Sequence, residues 1–86
     1  MLKIYTQTIF YTGMRRSDVM HIFEIENITP IWNTMGVVAY VIPNARFIRN
    51  GNNMTYVGRG NEAYVWAFQF DNKGCLLQQG VMPPKS

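Results

Sequence analysis

The sequence predicts an all-β fold: one small antiparallel sheet of six to seven strands, strongly curled or closed into a barrel, with room for one short helical turn. The length of 86 residues fits a single domain. Hydrophobic residues make up 48% and aromatic residues 14%, which supplies a core, whereas the 15% of charged residues is too few for a coiled coil. Runs rich in β-branched and aromatic residues are separated by turn residues about every 8–12 positions, which is typical of antiparallel β domains.

The N-terminal and central strands are predicted from alternation and from turn residues. Residues 2–11 alternate between apolar and polar side chains, which predicts a long strand. Residues 36–42 are apolar on both faces, which indicates a central strand covered on both sides. Residues 46–49 and 54–57 flank the Asn-Gly-rich segment 50–53, which predicts a β-hairpin because Asn and Gly tolerate the positive φ of tight turns.

Two segments have more than one interpretation. Residues 19–26 alternate and are predicted to form a strand, but their apolar residues also have helical spacing, so a helix capped by Ser17 is the alternative. Thr29, Pro30 and Gly36 can bracket a helical turn, as N-cap, first helical residue and left-handed C-terminal residue.

The C-terminal region predicts the main core. Residues 63–70 have period two and place four aromatic side chains on one face: Tyr64, Trp66, Phe68 and Phe70. We expect this aromatic ladder to form the wall of the core. Residues 71–74 predict a turn and residues 75–81 the last strand. Residues 1–82 are thus predicted to form one compact domain, followed by a flexible tail at 83–86, where two prolines disfavour regular structure.

The arginines are candidate binding residues. The chain has five arginines, three lysines and a net charge of +3. The candidate arginines are Arg15, Arg16, Arg46, Arg49 and Arg59. A guanidinium group can hold a carboxylate or phosphate through two hydrogen bonds, and these arginines lie in or beside Gly-containing loops and turns. The alternative is that they are scattered, solvated charges.

Exposed aromatic side chains are a second candidate feature, because bases of single-stranded nucleic acids stack on them. The candidates are Tyr5, Tyr11, Tyr40, Phe47 and Tyr56, of which Tyr56 is included in the predicted binding set. Packing in a second small core or in a subunit contact is the alternative. Trp32 lies outside the regular alternation, so it is predicted to be either an interface anchor or a cap over one end of a barrel.

Catalytic and metal chemistry have little support in the sequence. His21 and Glu24 could act together as a general acid and base only if their segment is helical, because a strand would point them to opposite faces. Cys75 is the single cysteine, which excludes an internal disulfide, and we expect it to be a buried, inert thiol. One histidine without a cysteine cluster cannot complete a tetrahedral metal site. We therefore predict no enzymatic activity, no metal and no cofactor.

The predicted location is the cytoplasm, because the N-terminus lacks the apolar core of a signal peptide and no apolar run is long enough to span a membrane. The predicted function is that of a small non-enzymatic binding protein that occupies the surface of a partner protein, such as a phage- or plasmid-encoded inhibitor of a host system. Self-association into a homo-oligomer is compatible with this prediction. One alternative is a small β-barrel that binds nucleic acid or nucleotides through arginines and aromatic residues. A second alternative is a small ribonuclease-like toxin that uses His21.

Overall fold

The structure is a computed structural model, and it describes residues 9–59 and 62–82. Its elements are β1 (Ile9–Phe10), α1 (Arg16–Ile25), β2 (Trp32–Asn33), β3 (Val37–Asn50), β4 (Asn53–Arg59), β5 (Glu62–Phe70) and β6 (Leu76–Met82). Residues 1–8, which include Tyr5 and most of the predicted N-terminal strand, and the predicted tail at 83–86 lie outside the described residues.

The six described strands form one antiparallel sheet in the order β1-β4-β3-β5-β6, and β2 pairs with β3. The long strand β3 bends at a register shift between Ile42 and Ala45, so its first half pairs with β2 and β5 and its second half with β4. The predicted hairpin is confirmed, because Asn50 pairs with Asn53 around Gly51, whose φ is +62°. The predicted fold class, a small curled antiparallel sheet, is confirmed.

The strand predicted for residues 19–26 is wrong, and the helical alternative is correct. Helix α1 begins after Arg15, not Ser17, and Arg15 makes no side-chain capping hydrogen bond. Val19 and Phe23, four residues apart, are both fully buried. Met20 and Ile22 also pack against the core, although a strand would have pointed them to the face opposite Val19 and Phe23. Helical spacing therefore gathers on one side apolar groups that a strand would have divided between two faces.

The helical turn predicted between Thr29 and Gly36 is also wrong. Trp32 and Asn33 are extended and pair with β3 instead. The Ile31 amide donates to the Ala39 carbonyl at 2.8 Å, which extends this pairing by one backbone hydrogen bond. Pairing with an open edge of β3 satisfies backbone groups that a single helical turn would leave without partners.

The predicted aromatic ladder forms the core. Trp66 and Phe68 are fully buried, Phe70 is almost so, and Tyr64 packs against the same cluster. Helix α1 covers this inner face of the sheet through Phe23, whose ring lies 5.7 Å from the Trp66 ring in an edge-to-face arrangement. Aromatic pairs of this geometry add stability beyond their buried area.

The two edges of the sheet approach each other at one end. The Gly13 amide donates to the Leu76 carbonyl at 2.7 Å, and the Leu76 amide donates to the Met14 carbonyl at 2.8 Å. These bonds connect the segment after β1 to the start of β6. Strands β1 and β6 do not pair with each other along their length within the described residues. The sheet is therefore curled and joined at this end, but it is not a closed barrel.

The buried side chain of Gln79 also links the two edges of the sheet, and we call this junction the seam. Its amide nitrogen donates to the carbonyls of Phe10 (2.6 Å) and Asn52 (3.2 Å), and its amide oxygen accepts from the Trp66 indole nitrogen at 3.1 Å. The last strand reaches this position through a register shift between Gln69 and Phe70. One buried side chain thereby ties β6 to β1, to the β3–β4 hairpin and to β5.

Within the described residues, none of the helices has the length and apolar character required to cross a lipid bilayer.

Candidate functional site

The surface of the sheet opposite the core is the candidate site, and we call it the outer face. Strand register places ten residues of β2, β3, β5 and β6 on it, because directly paired residues project to the same side. The outer face consists of Trp32, Val37, Ala39, Val41, Val65, Ala67, Gln69, Gln78, Gly80 and Met82. None of these ten residues is charged, and seven are apolar.

The outer face is accessible mainly at its margins, because Ala39 in its middle is only 7% exposed. Trp32 is 60% exposed, Met82 50% and Val41 36%. An antiparallel sheet with one solvated face normally carries alternating polar residues there, whereas β3 and β5 present apolar side chains on both faces. The prediction that residues 36–42 are covered on both sides is therefore only half met, because no described element of this chain covers the outer face.

A row of small residues crosses the middle of the outer face. Trp32 pairs with Ala39, Ala39 with Ala67, and Ala67 with Gly80. An open cavity of about 310 Å³ lies over the β5–β6 end of this row, and Val37 and Met82 are among the residues that line it. The outer face thus has a large exposed side chain at one end of the row and a groove at the other.

Gly80 has open space around it. A Cβ atom at this position would meet no atom within 4 Å, and its backbone is outside the left-handed region that favours glycine. The fold itself therefore does not require glycine here, and the missing side chain contributes to the depth of the groove.

The structure does not gather the described arginine side chains into one patch. Arg16, at the start of α1, donates to the side-chain oxygen of Asn33. The Arg49 guanidinium donates to the carbonyls of Gly51 (3.5 Å) and Gln79 (3.3 Å), so it links the β3–β4 hairpin to β6. Arg15 is exposed, directly before the helix.

Arg46 and Arg59 lie on paired strands, in adjacent registers. Arg46 pairs with Gly58 and Arg59 with Ala45, in the half of β3 that is away from the outer face residues. Their side chains, like those of Phe47 and Tyr56, lie outside the described parts of the structure.

Three of the backbone amides at the start of α1 already donate to carbonyls of the protein. The Arg16 amide donates to the Gly74 carbonyl at 2.8 Å, and the amides of Asp18 and Val19 both donate to the Arg15 carbonyl at 3.0 Å. Asp18 also adds a negative charge to the first turn. A phosphate-binding role for this terminus therefore has no support in the geometry.

The aromatic candidates have different positions. Tyr40 is a core residue, only 1% exposed, and its ring stacks on Phe23 with 3.8 Å between the centroids, so its proposed role as an exposed stacking residue is wrong. Burial raises the pKa of Tyr40 to about 12; the negative charge of Glu24 also raises it and the positive charge of Arg16 opposes this. Tyr11 is 48% exposed but does not belong to the outer face.

The helix brings His21 and Glu24 to neighbouring positions on its surface. Both are exposed, and the described part of the chain shows no hydrogen bond between them. Cys75 is half-buried and unpaired, and its amide donates to the Asp71 carboxylate at 2.9 Å. Within residues 9–59 and 62–82, no three His, Cys, Asp or Glu side chains come together as a metal site.

Known proteins offer no guide to this site. No family model, curated protein or solved structure matches the chain.

Sequence reasoning selected Trp32 but missed the rest of the outer face. The signal in the sequence was the set of residues that alternate with the aromatic ladder along the strand. Val65 and Ala67 in this set are small and apolar, whereas a solvated sheet face would be polar. The partners contributed by β6 could not be found from the sequence, because they depend on the register shift beside Phe70.

Proposed function

We propose that this protein is a small non-enzymatic binding protein that acts by protein–protein contact through its outer face. The single observation that carries the proposal is that this face is uncharged and mostly apolar, yet no described element of the chain covers it. Depletion of charge and the presence of an exposed aromatic side chain are typical of the central part of protein interfaces.

Trp32 is the expected anchor of the contact. It is 60% exposed at the margin of the face, and a half-exposed indole ring gains from being removed from water by a partner. The groove beside Gly80 and Ala67 offers the partner a complementary depression. An inhibitor is one form of such a protein, if the surface it covers is a functional site of the partner.

Two of the arginines, Arg16 and Arg49, favour this proposal over nucleic-acid binding. The guanidinium groups of Arg16 and Arg49 already donate to groups of the protein, and none of the ten outer-face residues is basic. A surface that follows a phosphate backbone requires several accessible cations aligned along one groove.

The test is capture of partners by immobilised protein from extracts of its native host, followed by titration of the purified partner. We expect Trp32→Ala to weaken binding by about 30-fold or more, which corresponds to about 2 kcal/mol for an anchoring residue. Tyr11→Ala is the matched control, because Tyr11 is a similarly exposed aromatic residue outside the outer face, and it should leave binding unchanged.

Equal binding by the parent and the Trp32→Ala variant contradicts the proposal. Binding of a single-stranded oligonucleotide that weakens steeply with salt would support the nucleic-acid alternative instead.

A further inference from the structure

We propose that the outer face binds a second copy of this chain, through a symmetric contact in which Trp32 of each copy enters the groove at Gly80 of the other. This inference rests on the proposed function, because it names the occupant of the same face. Two properties of the face support it, namely its lack of charge and the order of residues along its central row, and its area predicts how tightly two copies bind.

Charge favours a second copy because the ten residues of the outer face carry none. Such a face has no charge that would attract an oppositely charged partner. A charged group of another protein would lose its hydration on this face without gaining an ion pair. Two copies of the same uncharged face meet without either cost.

The central row is complementary to itself. Trp32, Ala39, Ala67 and Gly80 lie on four successive strands, so about 14 Å separates the first strand from the last. A two-fold axis parallel to the strands and midway between β3 and β5 keeps each residue in its row and reverses the strand order. It places Trp32 over Gly80 of the second copy and Ala39 over Ala67.

The small residues of this row leave space for a large ring from the second copy. Packed sheets lie about 10 Å apart, and glycine and alanine fill little of that distance. The indole of Trp32 is large enough to fill it, and the open cavity of about 310 Å³ lies where the symmetry places this ring. The knob and the groove therefore occur in the positions that a symmetric contact requires.

The area predicts a weak dimer. Each position covers about 30 Å² of a pleated sheet, so the nine positions other than Trp32 cover roughly 270 Å² per copy. Trp32 is 60% exposed, so its burial adds at most roughly 150 Å². The total is less than the roughly 800 Å² per partner of a standard interface, so we expect reversible dimerisation at concentrations of about 10 µM to 1 mM.

The test is sedimentation equilibrium of the full chain over about 1 µM to 1 mM, with two variants. Trp32→Ala removes the knob, and Gly80→Val fills the groove without a clash inside one copy. We expect each variant to weaken dimerisation by at least about 10-fold. Gly80→Val should melt at or above the parent temperature, because valine favours strands and glycine weakens them, and this separates lost dimerisation from lost folding.

A mixture of the two variants provides the sharper test. In the mixed dimer one native Trp32–Gly80 contact remains, and the other contact pairs an alanine with a valine and has no clash. Native mass spectrometry should therefore show more mixed dimer than the statistical share expected from the two homodimers.

A parent protein that remains monomeric at about 1 mM, or dimers unaffected by both substitutions, would overturn the inference. If the parent is monomeric but Trp32→Ala still abolishes binding of a different protein, the inference fails while the proposed function stands. If the symmetric dimer forms and no other protein is bound through this face, the inference stands and the proposed action on a different partner fails.

Discussion

Replacement of Gln79 by leucine tests whether one buried amide holds the curled sheet together. The side chain makes three hydrogen bonds, to Phe10, Asn52 and Trp66, and leucine can make none of them. Removal of a hydrogen bond from a buried group costs about 1–3 kcal/mol, and two of the three partner residues, Phe10 and Trp66, are fully buried, which gives about 2–6 kcal/mol. The added burial of leucine offsets part of this loss. We therefore expect the free energy of unfolding to fall by about 2–4 kcal/mol.

Urea denaturation followed by far-ultraviolet circular dichroism measures this change. For a domain of this size the slope is about 1 kcal/mol per molar urea, so the midpoint should fall by about 2–4 M. The total stability expected for 86 residues is only about 4–13 kcal/mol. The substitution should therefore remove a large share of it.

Gln78→Leu is the matched control for this experiment. Gln78 is the adjacent glutamine in β6, but it is exposed and bonds the side chain of Gln69 on the outer face. Its replacement should change stability by less than about 0.5 kcal/mol. If Gln79→Leu and Gln78→Leu destabilise the protein equally, the buried amide does not hold the seam and the reasoning is refuted.

Three further predictions concern the core and the titratable groups. Trp66→Ala should lower the free energy of unfolding by about 3–5 kcal/mol by leaving a cavity, whereas Leu77→Ala, at a half-exposed position, should change it little; melting temperatures within a few degrees of each other would contradict this. The folded-state pKa of Tyr40, about 12, lies above the ordinary value of 10.0. The contribution of the protonated Tyr40 hydroxyl to the free energy of unfolding should therefore be complete below pH 10 and decline by about 2–3 kcal/mol as the pH rises to 12. Tyr40→Phe should remove this decline in alkaline urea titrations. The backbone amide of Cys75, and to a lesser extent that of Lys73, lowers the pKa of the Asp71 carboxyl group. The contribution of the ionised carboxylate to stability should therefore be present at neutral pH and disappear as the pH falls through the lowered folded-state pKa. The stability difference between the parent and Asp71→Ala should shrink in acid, and a constant difference would contradict the assignment.

The helix shows how far sequence reasoning could go in this protein. The apolar residues at 19 and 23 fit helical spacing, but alternate positions of the same segment also fit a strand. A ten-residue helix is marginal by itself, so its formation depends on packing of Phe23 against the aromatic wall. That contact joins distant parts of the chain and could not be inferred from local spacing.

The candidate site was also only partly predictable from the sequence. Trp32 could be selected from the sequence because it is a large aromatic residue beside a turn signal. Its position in a row with Ala39, Ala67 and Gly80 depends on strand register across three pairings. A shift of one residue would move each side chain to the opposite face, so register decides which residues share a surface.

The sequence by itself determined the β class, the two tight turns and the inward face of β5. These features follow from local properties: the two-residue period of a strand and the positive φ that glycine accepts at 51 and 74. Only the tertiary structure decided that residues 16–25 form a helix, that Gln79 closes the seam, and that the outer face is left open. Each of these features depends on contacts between residues that are far apart in the chain, and such contacts cannot be predicted from the local sequence around either residue.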